Sequence, residues 1–253
     1  MKNRVVALMM ICALLCHFAA HAQRIAYYIP NPVQMPALKG KSDGNVMAGI
    51  SMAGENAGYN LMTMYSPVKS VAIMLNHNGR HTRHNWIGTN FSTTEIGAGV
   101  YQGKNGNCSS VMLGYGRQKV VSVYDNDFSQ ISSLWMNRYF LQGAYSYTGK
   151  KGMIGVGLRL VLLEYYKGLI NKEIDPFFLN HIKKIEGKSP IVYHELAIQT
   201  GIVRYDPVHV YFHINTLIAK LEDLKLFQGS VGLSLAYHFG RRKNQNTDSS
   251  STL

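Results

Sequence analysis

The stretch Val208-His209-Val210-Tyr211-Phe212-His213-Ile214-Asn215-Thr216-Leu217-Ile218 places Val208, Val210, Phe212, Ile214 and Ile218 on one face. His209, Tyr211, His213 and Asn215 fall on the other. Successive side chains of a strand point to opposite faces, so a period of two with one apolar side marks a β-strand. The stretch Ser230-Val231-Gly232-Leu233-Ser234-Leu235-Ala236-Tyr237-His238-Phe239 repeats the alternation. Over 191–203, Val192, Leu196, Ile198 and Ile202 oppose Glu195, Gln199 and Gly201. Ile154, Val156, Leu158, Leu160 and Leu162 oppose Gly155, Gly157 and Arg159. The same pattern predicts strands at 45–54, 57–66, 69–79, 91–101, 107–120, 134–147, 152–166, 190–204, 207–219 and 229–239. Each has the roughly ten residues that a tilted strand needs to cross a bilayer.

Connection lengths carry independent information. Segments 66–69, 102–107, 148–152 and 205–207 are short, and 80–90, 121–133, 167–189 and 220–228 are longer. This alternation is the rhythm of an up-and-down membrane barrel, with short periplasmic turns and long outer loops. Only the first hairpin, 54–57, is short at the long-loop end. The expected fold is therefore all-β: a transmembrane, up-and-down, antiparallel β-barrel of about ten strands, with eight to twelve also compatible. A bilayer offers no hydrogen-bond partners, so a sheet crosses it only by closing on itself.

In such a barrel the polar face lines the lumen. Polar side chains without partners would be costly in a soluble core. In a narrow lumen they pair with one another, and Arg138 and Arg159 are expected to meet Glu95 and Glu195. With His209 and His213 these form the candidate lumenal binding cluster. The alternation also fits a soluble, exported, lipocalin-like binding barrel with its apolar face inward. Aromatic content of 11%, the turn rhythm, and Tyr59, Tyr65, Tyr101, Tyr115, Tyr139, Tyr147 and Tyr165 near strand ends favour the membrane.

Composition agrees. Of 253 residues, 26 are Lys or Arg and 14 Asp or Glu, a net charge of +12. Charged residues make up 16%, below the roughly 25% usual for soluble domains. The mean hydropathy of -0.08 is too high for a disordered chain. Lys2 and Arg4 precede an apolar run over 5–20, and Ala20-His21-Ala22 supplies small residues for cleavage. Residues 1–22 are thus expected to be a secretory signal, whose loss would take the charge from +12 to +10. Leu15 before Cys16 disfavours lipidation, and Cys108 is then the single mature cysteine, so no internal disulfide forms. Pro30, Pro32 and Pro36 make 23–44 an irregular segment, expected in the periplasm. The barrel domain is expected over 45–240 and a polar periplasmic tail over 241–253.

The stretch Ser230 to Phe239 resembles the terminal-strand signal read by the outer-membrane insertion machinery: a polar residue, a glycine two on, alternating hydrophobics and a closing aromatic. It departs from that signal in being followed by Gly240 and a polar tail. The wider chain resembles a family of small, mostly uncharacterised outer-membrane β-barrel proteins of Bacteroidetes-type bacteria. The carrying residues are Tyr28-Ile29-Pro30, Met35-Pro36-Ala37-Leu38-Lys39-Gly40-Lys41, Gly58-Tyr59-Asn60-Leu61 and Ala72-Ile73-Met74-Leu75-Asn76. They continue with Glu95-Ile96-Gly97-Ala98-Gly99-Val100-Tyr101, Gly114-Tyr115-Gly116 and Asn137-Arg138-Tyr139-Phe140-Leu141-Gln142. The resemblance covers most of 25–240 and implies an outer-membrane address and a barrel, with no catalytic residue to carry over.

Three constellations bear on chemistry. His77, Arg80, His81, Arg83 and His84 form a basic cluster assigned to the second outer loop. Its arginines oppose a metal cation, and their forked guanidinium groups suit the phosphates of lipopolysaccharide. His209 and His213, with Glu195 on the preceding strand, are the elements of a barrel-fold enzyme acting on lipid or peptide. A nucleophilic serine is not placed by the sequence, so a non-enzymatic role is expected. The loop over 167–189 mixes apolar residues with lysines, as a lid or partner surface would. Asp125-Asn126-Asp127 lacks the glycine and distant glutamate of an EF-hand. No metal, cofactor or nucleic-acid partner is expected. The expectation is a structural or interaction protein of the bacterial outer membrane, with a largely plugged lumen and outward-facing loops.

Overall fold

A computed structural model describes residues 31–53, 56–84, 87–124, 130–149, 152–170, 183, 187, 189–205, 207–217 and 229–240. The expected signal at 1–22, the expected tail at 241–253, Asp125 to Asp127, Ile218 and most of the 167–189 segment lie outside them.

Ten strands form one closed antiparallel barrel, each paired with its sequence neighbours and the last closing on the first. They are β1 (Gly44–Ala53), β2 (Asn56–Val68), β3 (Val71–His84), β4 (Ile87–Lys104) and β5 (Asn107–Tyr124). The remainder are β6 (Gln130–Thr148), β7 (Gly152–Ile170), β8 (Ile191–Tyr205), β9 (Val208–Leu217) and β10 (Gly229–Phe239). The closing pair runs from Gly44 opposite Phe239 to Met52 opposite Val231. The end where β1 begins is called the turn end, and the opposite end the loop end. At the turn end, Asn105 (φ 51°) and Gly106 (φ 82°) form the two-residue turn between β4 and β5. Positive φ at both positions suits the twist of a hairpin, and Asn-Gly tolerates it best.

The ten expected strands are all present, but several run further. The segment 80–90, expected as an outer loop, is mostly strand: β3 continues to His84 and β4 begins at Ile87. Charged side chains there interrupt the polarity pattern, while the backbone pairing continues, from Arg80 opposite Phe91 to His84 opposite Ile87. Polarity was a poor guide because this part of the wall carries polar groups on both faces.

The two faces of the wall differ in chemistry as a membrane barrel requires. Outward rows are apolar: Ile73, Ala98, Leu113, Leu141 and Leu160 lie side by side on β3 to β7. Leu113, 65% exposed, has the highest exposure among the described large hydrophobic residues, and Leu141 beside it is 44% exposed. The soluble alternative, with this face inward, has the opposite polarity.

The lumen holds an element that strand periodicity could not foretell. Residues 31–38 of the irregular 23–44 segment, expected in the periplasm, run inside the barrel. Asn31, Val33, Gln34, Met35 and Leu38 are buried. Gln142 Nε2 donates to the Gln34 carbonyl at 3.1 Å, Ser146 Oγ donates to the Pro36 carbonyl, and Cys108 Sγ reaches the Leu38 carbonyl at 3.6 Å. At the turn end, Asp43 accepts from the Lys39 N–H at 2.6 Å and the Gly44 N–H at 2.9 Å. Burial pushes its carboxyl above the usual range despite these bonds. Gly155 and Gly157, inward on β7, make the room: a Cβ on Gly157 would lie 2.7 Å from Val33 Cγ1, and one on Gly155 2.9 Å from Met35 Cγ. The Gly157→Leu variant is expected to displace the segment, which protease protection of 31–38 in the folded barrel would report as a loss.

Candidate functional site

The centre of the lumen is a four-membered ion cluster. Glu95 on β4, Arg138 on β6, Arg159 on β7 and Glu195 on β8 all point inward because they share the parity of their strands' small or polar residues. Arg138 Nε donates to Glu95 Oε1 at 3.0 Å and its Nη2 to Glu195 Oε1 at 3.2 Å. Arg159 Nη1 lies 3.1 Å from Glu95 Oε2 and 3.5 Å from Glu195 Oε2. All four side chains are fully buried. Each arginine therefore bridges both glutamates, the meeting expected from the sequence.

Removing charges from water is costly unless every donor and acceptor is satisfied. Here the surrounding amides do this. Gln118 Oε1 accepts from Arg138 Nη1 at 3.1 Å, and Gln142 Oε1 accepts from Arg159 Nη2 at 2.7 Å. The lumenal segment joins the same cluster: Asn31 Nδ2 donates to Glu95 Oε1 at 2.9 Å, and its backbone N–H to Glu195 Oε1 at 3.2 Å. Phe140 offers its ring face to the Arg159 guanidinium, 4.6 Å from the centroid.

His209 and His213 line the lumen but belong to other groups. His209 Nδ1 is 3.1 Å from the Tyr211 hydroxyl, which is 3.0 Å from His238 Nε2, near the turn end. His213 Nδ1 is 3.4 Å from Ser234 Oγ. The register sets Gln199 opposite His213 and Leu217 opposite Glu195. The His–carboxylate pair contemplated for an enzyme is thus not formed: Glu195 is taken by arginines. Tyr211 and Ser234 are the lumenal partners that sequence reading missed; both share the inward parity of their strands.

The basic cluster of β3 is split by the wall. Arg80 points into the lumen and donates from Nη2 to Ser51 Oγ at 2.8 Å. His77, His81 and Arg83 lie on the outward face; the side chain of His84 lies outside the described residues. His77 Nδ1 is 2.9 Å from Thr94 Oγ1, and His81 Nδ1 is 2.9 Å from Asn90 Oδ1. Strand parity, correctly extended through 80–84, would have separated Arg80 from its neighbours.

The outward face turns polar along one row toward the loop end: His77, Thr94, Arg117, Asn137 and Glu164 on adjacent strands. Tyrosines one row below reach up to it. The Tyr115 hydroxyl donates to Asn137 Oδ1 at 2.8 Å and accepts from Arg117 Nε at 3.0 Å. In the next row Trp135 lies between two ammonium groups, Lys119 at 5.4 Å and Lys167 at 5.3 Å from its ring. Among the described residues no group of three or more metal-ligating side chains comes together.

No family model matches the sequence, and no curated protein matches it. Among solved structures, the N-terminal β-barrel domain of Pseudomonas aeruginosa OprF is similar at 12% identity and a TM-score of 0.35, over 79% of this chain and 100% of that one. The translocator domain of the autotransporter NalP from Neisseria meningitidis is similar at 8% identity and a TM-score of 0.46, over 78% and 86%. The NanC porin is similar at 10% identity and a TM-score of 0.36, over 78% and 100%. The architecture described above rests on the strand pairing and not on these likenesses.

Proposed function

We propose that this chain is a β-barrel of the bacterial outer membrane whose lumen is closed by its own 31–38 segment, and whose work is structural or interactive at the loop end. The observation that carries the reading is the inverted barrel: an apolar exterior around a satisfied charge cluster, with chain packed into the remaining lumen. From Tyr139 to Tyr147 along β6, at about 3.3 Å per residue and a tilt of about 40°, the apolar band is about 20 Å tall. That is close to the roughly 25 Å band of outer-membrane barrels. β4 to β7, of 18 or 19 residues, exceed what the band needs and project past it at the loop end.

The outward polar row supports a lipid-facing role for that rim. Tyrosines and tryptophan suit the level where acyl chains meet head groups, and His77, Arg83, Arg117, Lys119 and Lys167 suit the anionic groups of lipopolysaccharide. Ser230 to Phe239 is the segment offered to the insertion machinery.

Planar-bilayer recording tests the closed lumen. The purified barrel is expected to give no steady conductance, and a variant lacking 31–38 is expected to conduct in discrete steps. Steady conductance by the intact protein would refute the closure.

A further inference from the structure

The lumenal segment has a direction. The Leu38 carbonyl lies at Cys108 Sγ and the Pro36 carbonyl at Ser146 Oγ, and Cys108 and Ser146 face each other near the turn end. The Gln34 carbonyl is held by Gln142, further up β6 toward the loop end. Asn31 reaches Glu95 and Glu195 at the ion cluster, and Glu95 shares a row with Gly116 and Arg138. From Leu38 back to Asn31 the chain therefore climbs from the turn end to the middle of the barrel without reversing. At the top of this climb Asn31 and Pro32 lie beside Ser51, Asn78 and Thr93, which are on the loop-end side of the cluster.

The two halves of the lumen offer the upstream chain different routes. The turn-end half is occupied: Val33 and Met35 share one buried cluster with Met47, Met62 and Met153, and Leu38 shares another with Met64 and Met74. A chain turning back at Asn31 would have to displace this packing. It would also find Gln142 and Ser146 already taken by the segment itself. Toward the loop end, Ser51, Asn78 and Thr93 supply the polar side chains that a passing backbone needs. We propose that the 31–38 segment is the inner part of a thread, and that the chain upstream of Asn31 leaves the barrel at the loop end and is presented outside the cell. Length permits it. From Glu95 to the start of β4 at Ile87 the wall rises about 20 Å, taking about 3.3 Å per residue and a tilt of about 40°. Residues 23–30, when extended, reach about 26 Å. The barrel then serves to display its own N-terminal stretch, with Arg24, Tyr27 and Tyr28, beside the outer loops. The presentation outside the cell rests on the reading of the loop end as the outward end; the threading does not.

The test uses the full chain in cells and a maleimide too large to cross the outer membrane, applied to intact cells and again after the membrane is opened. Three variants carry the reactive thiol. Arg24→Cys reports the upstream chain, Lys183→Cys the exposed β7–β8 connection at the loop end, and Asn105→Cys the exposed turn between β4 and β5. The native Cys108, 4% exposed, leaves the parent unlabelled. Arg24→Cys is expected to be labelled on intact cells as Lys183→Cys is, and Asn105→Cys only after opening. Adding Gly157→Leu, which displaces the segment, is expected to abolish surface labelling of Arg24→Cys and to leave that of Lys183→Cys. Labelling of Arg24→Cys only after opening, or under neither condition, while Lys183→Cys reacts on intact cells would overturn the proposal. So would surface labelling of Arg24→Cys that persists with Gly157→Leu, since the route would then not be the lumen. If Asn105→Cys instead of Lys183→Cys reacts on intact cells, the outward orientation of the loop end fails. Threading then stands if Arg24→Cys follows Lys183→Cys and falls if it follows Asn105→Cys.

Discussion

Glu95→Gln is expected to cost about 3–5 kcal/mol of barrel stability, because it leaves two buried guanidinium groups facing one carboxylate. In the intact cluster Glu95 takes contacts from Arg138 at 3.0 Å and Arg159 at 3.1 Å, and Asn31 donates to it as well. The substitution therefore disturbs three elements of the lumen at once: β6, β7 and the internal segment. Equilibrium unfolding in urea, followed by tryptophan fluorescence in detergent micelles, reads the loss as a fall in midpoint at unchanged slope. Arg138→Glu is expected to be at least as severe. The exchanged pair, Glu95→Arg with Arg138→Glu, restores opposite charges at the same two positions and is expected to regain part of the loss. Stability of Glu95→Gln equal to that of the parent would mean that the cluster is not the satisfied, water-free network described.

The second large effect concerns the opposite face. Leu141→Arg places a charge in the outward apolar band, beside Leu113 on β5 and Leu160 on β7. Facing acyl chains, an arginine costs about 2–4 kcal/mol at the bilayer midplane and about 0–1 kcal/mol near the interfaces, so at Leu141, two residues inside Tyr139, the cost is about 1–2 kcal/mol. Facing water, the same change at an exposed position would cost within about 0.5 kcal/mol. Folding into lipid vesicles separates the two cases. The expected result is a marked loss for Leu141→Arg and almost none for Lys119→Gln, on the exposed row beside Trp135.

Much of this was legible in the residues. Alternation identified the ten strands and assigned Val208, Val210, Phe212 and Ile214 to one side and His209, His213 and Asn215 to the other, because strand parity is a local property. The ion cluster was legible for the same reason: four charged residues of inward parity in a narrow space have few other partners. What escaped depended on tertiary placement. Pro30, Pro32 and Pro36 state that a segment is irregular, but not whether it lies in solvent or in a lumen. The nearest signal was Gly155 and Gly157 on inward positions of β7, where missing side chains leave space for Val33 and Met35. The loop assignment over 80–90 failed because polarity was taken to end a strand whose backbone pairing continued. Glu195 was set against the histidines of the next strand, whereas the register offsets them and the arginines claim it.

The central claim is that the apolar exterior faces lipid and the charged cluster faces inward. Its most direct test is outer-membrane fractionation followed by electrophoresis in SDS with and without boiling. A closed barrel with its hydrogen bonds satisfied internally resists the detergent until heated. The account predicts recovery in the outer-membrane fraction and a band whose mobility changes on boiling. A protein recovered in the soluble periplasmic fraction, with one band under both conditions, would contradict it.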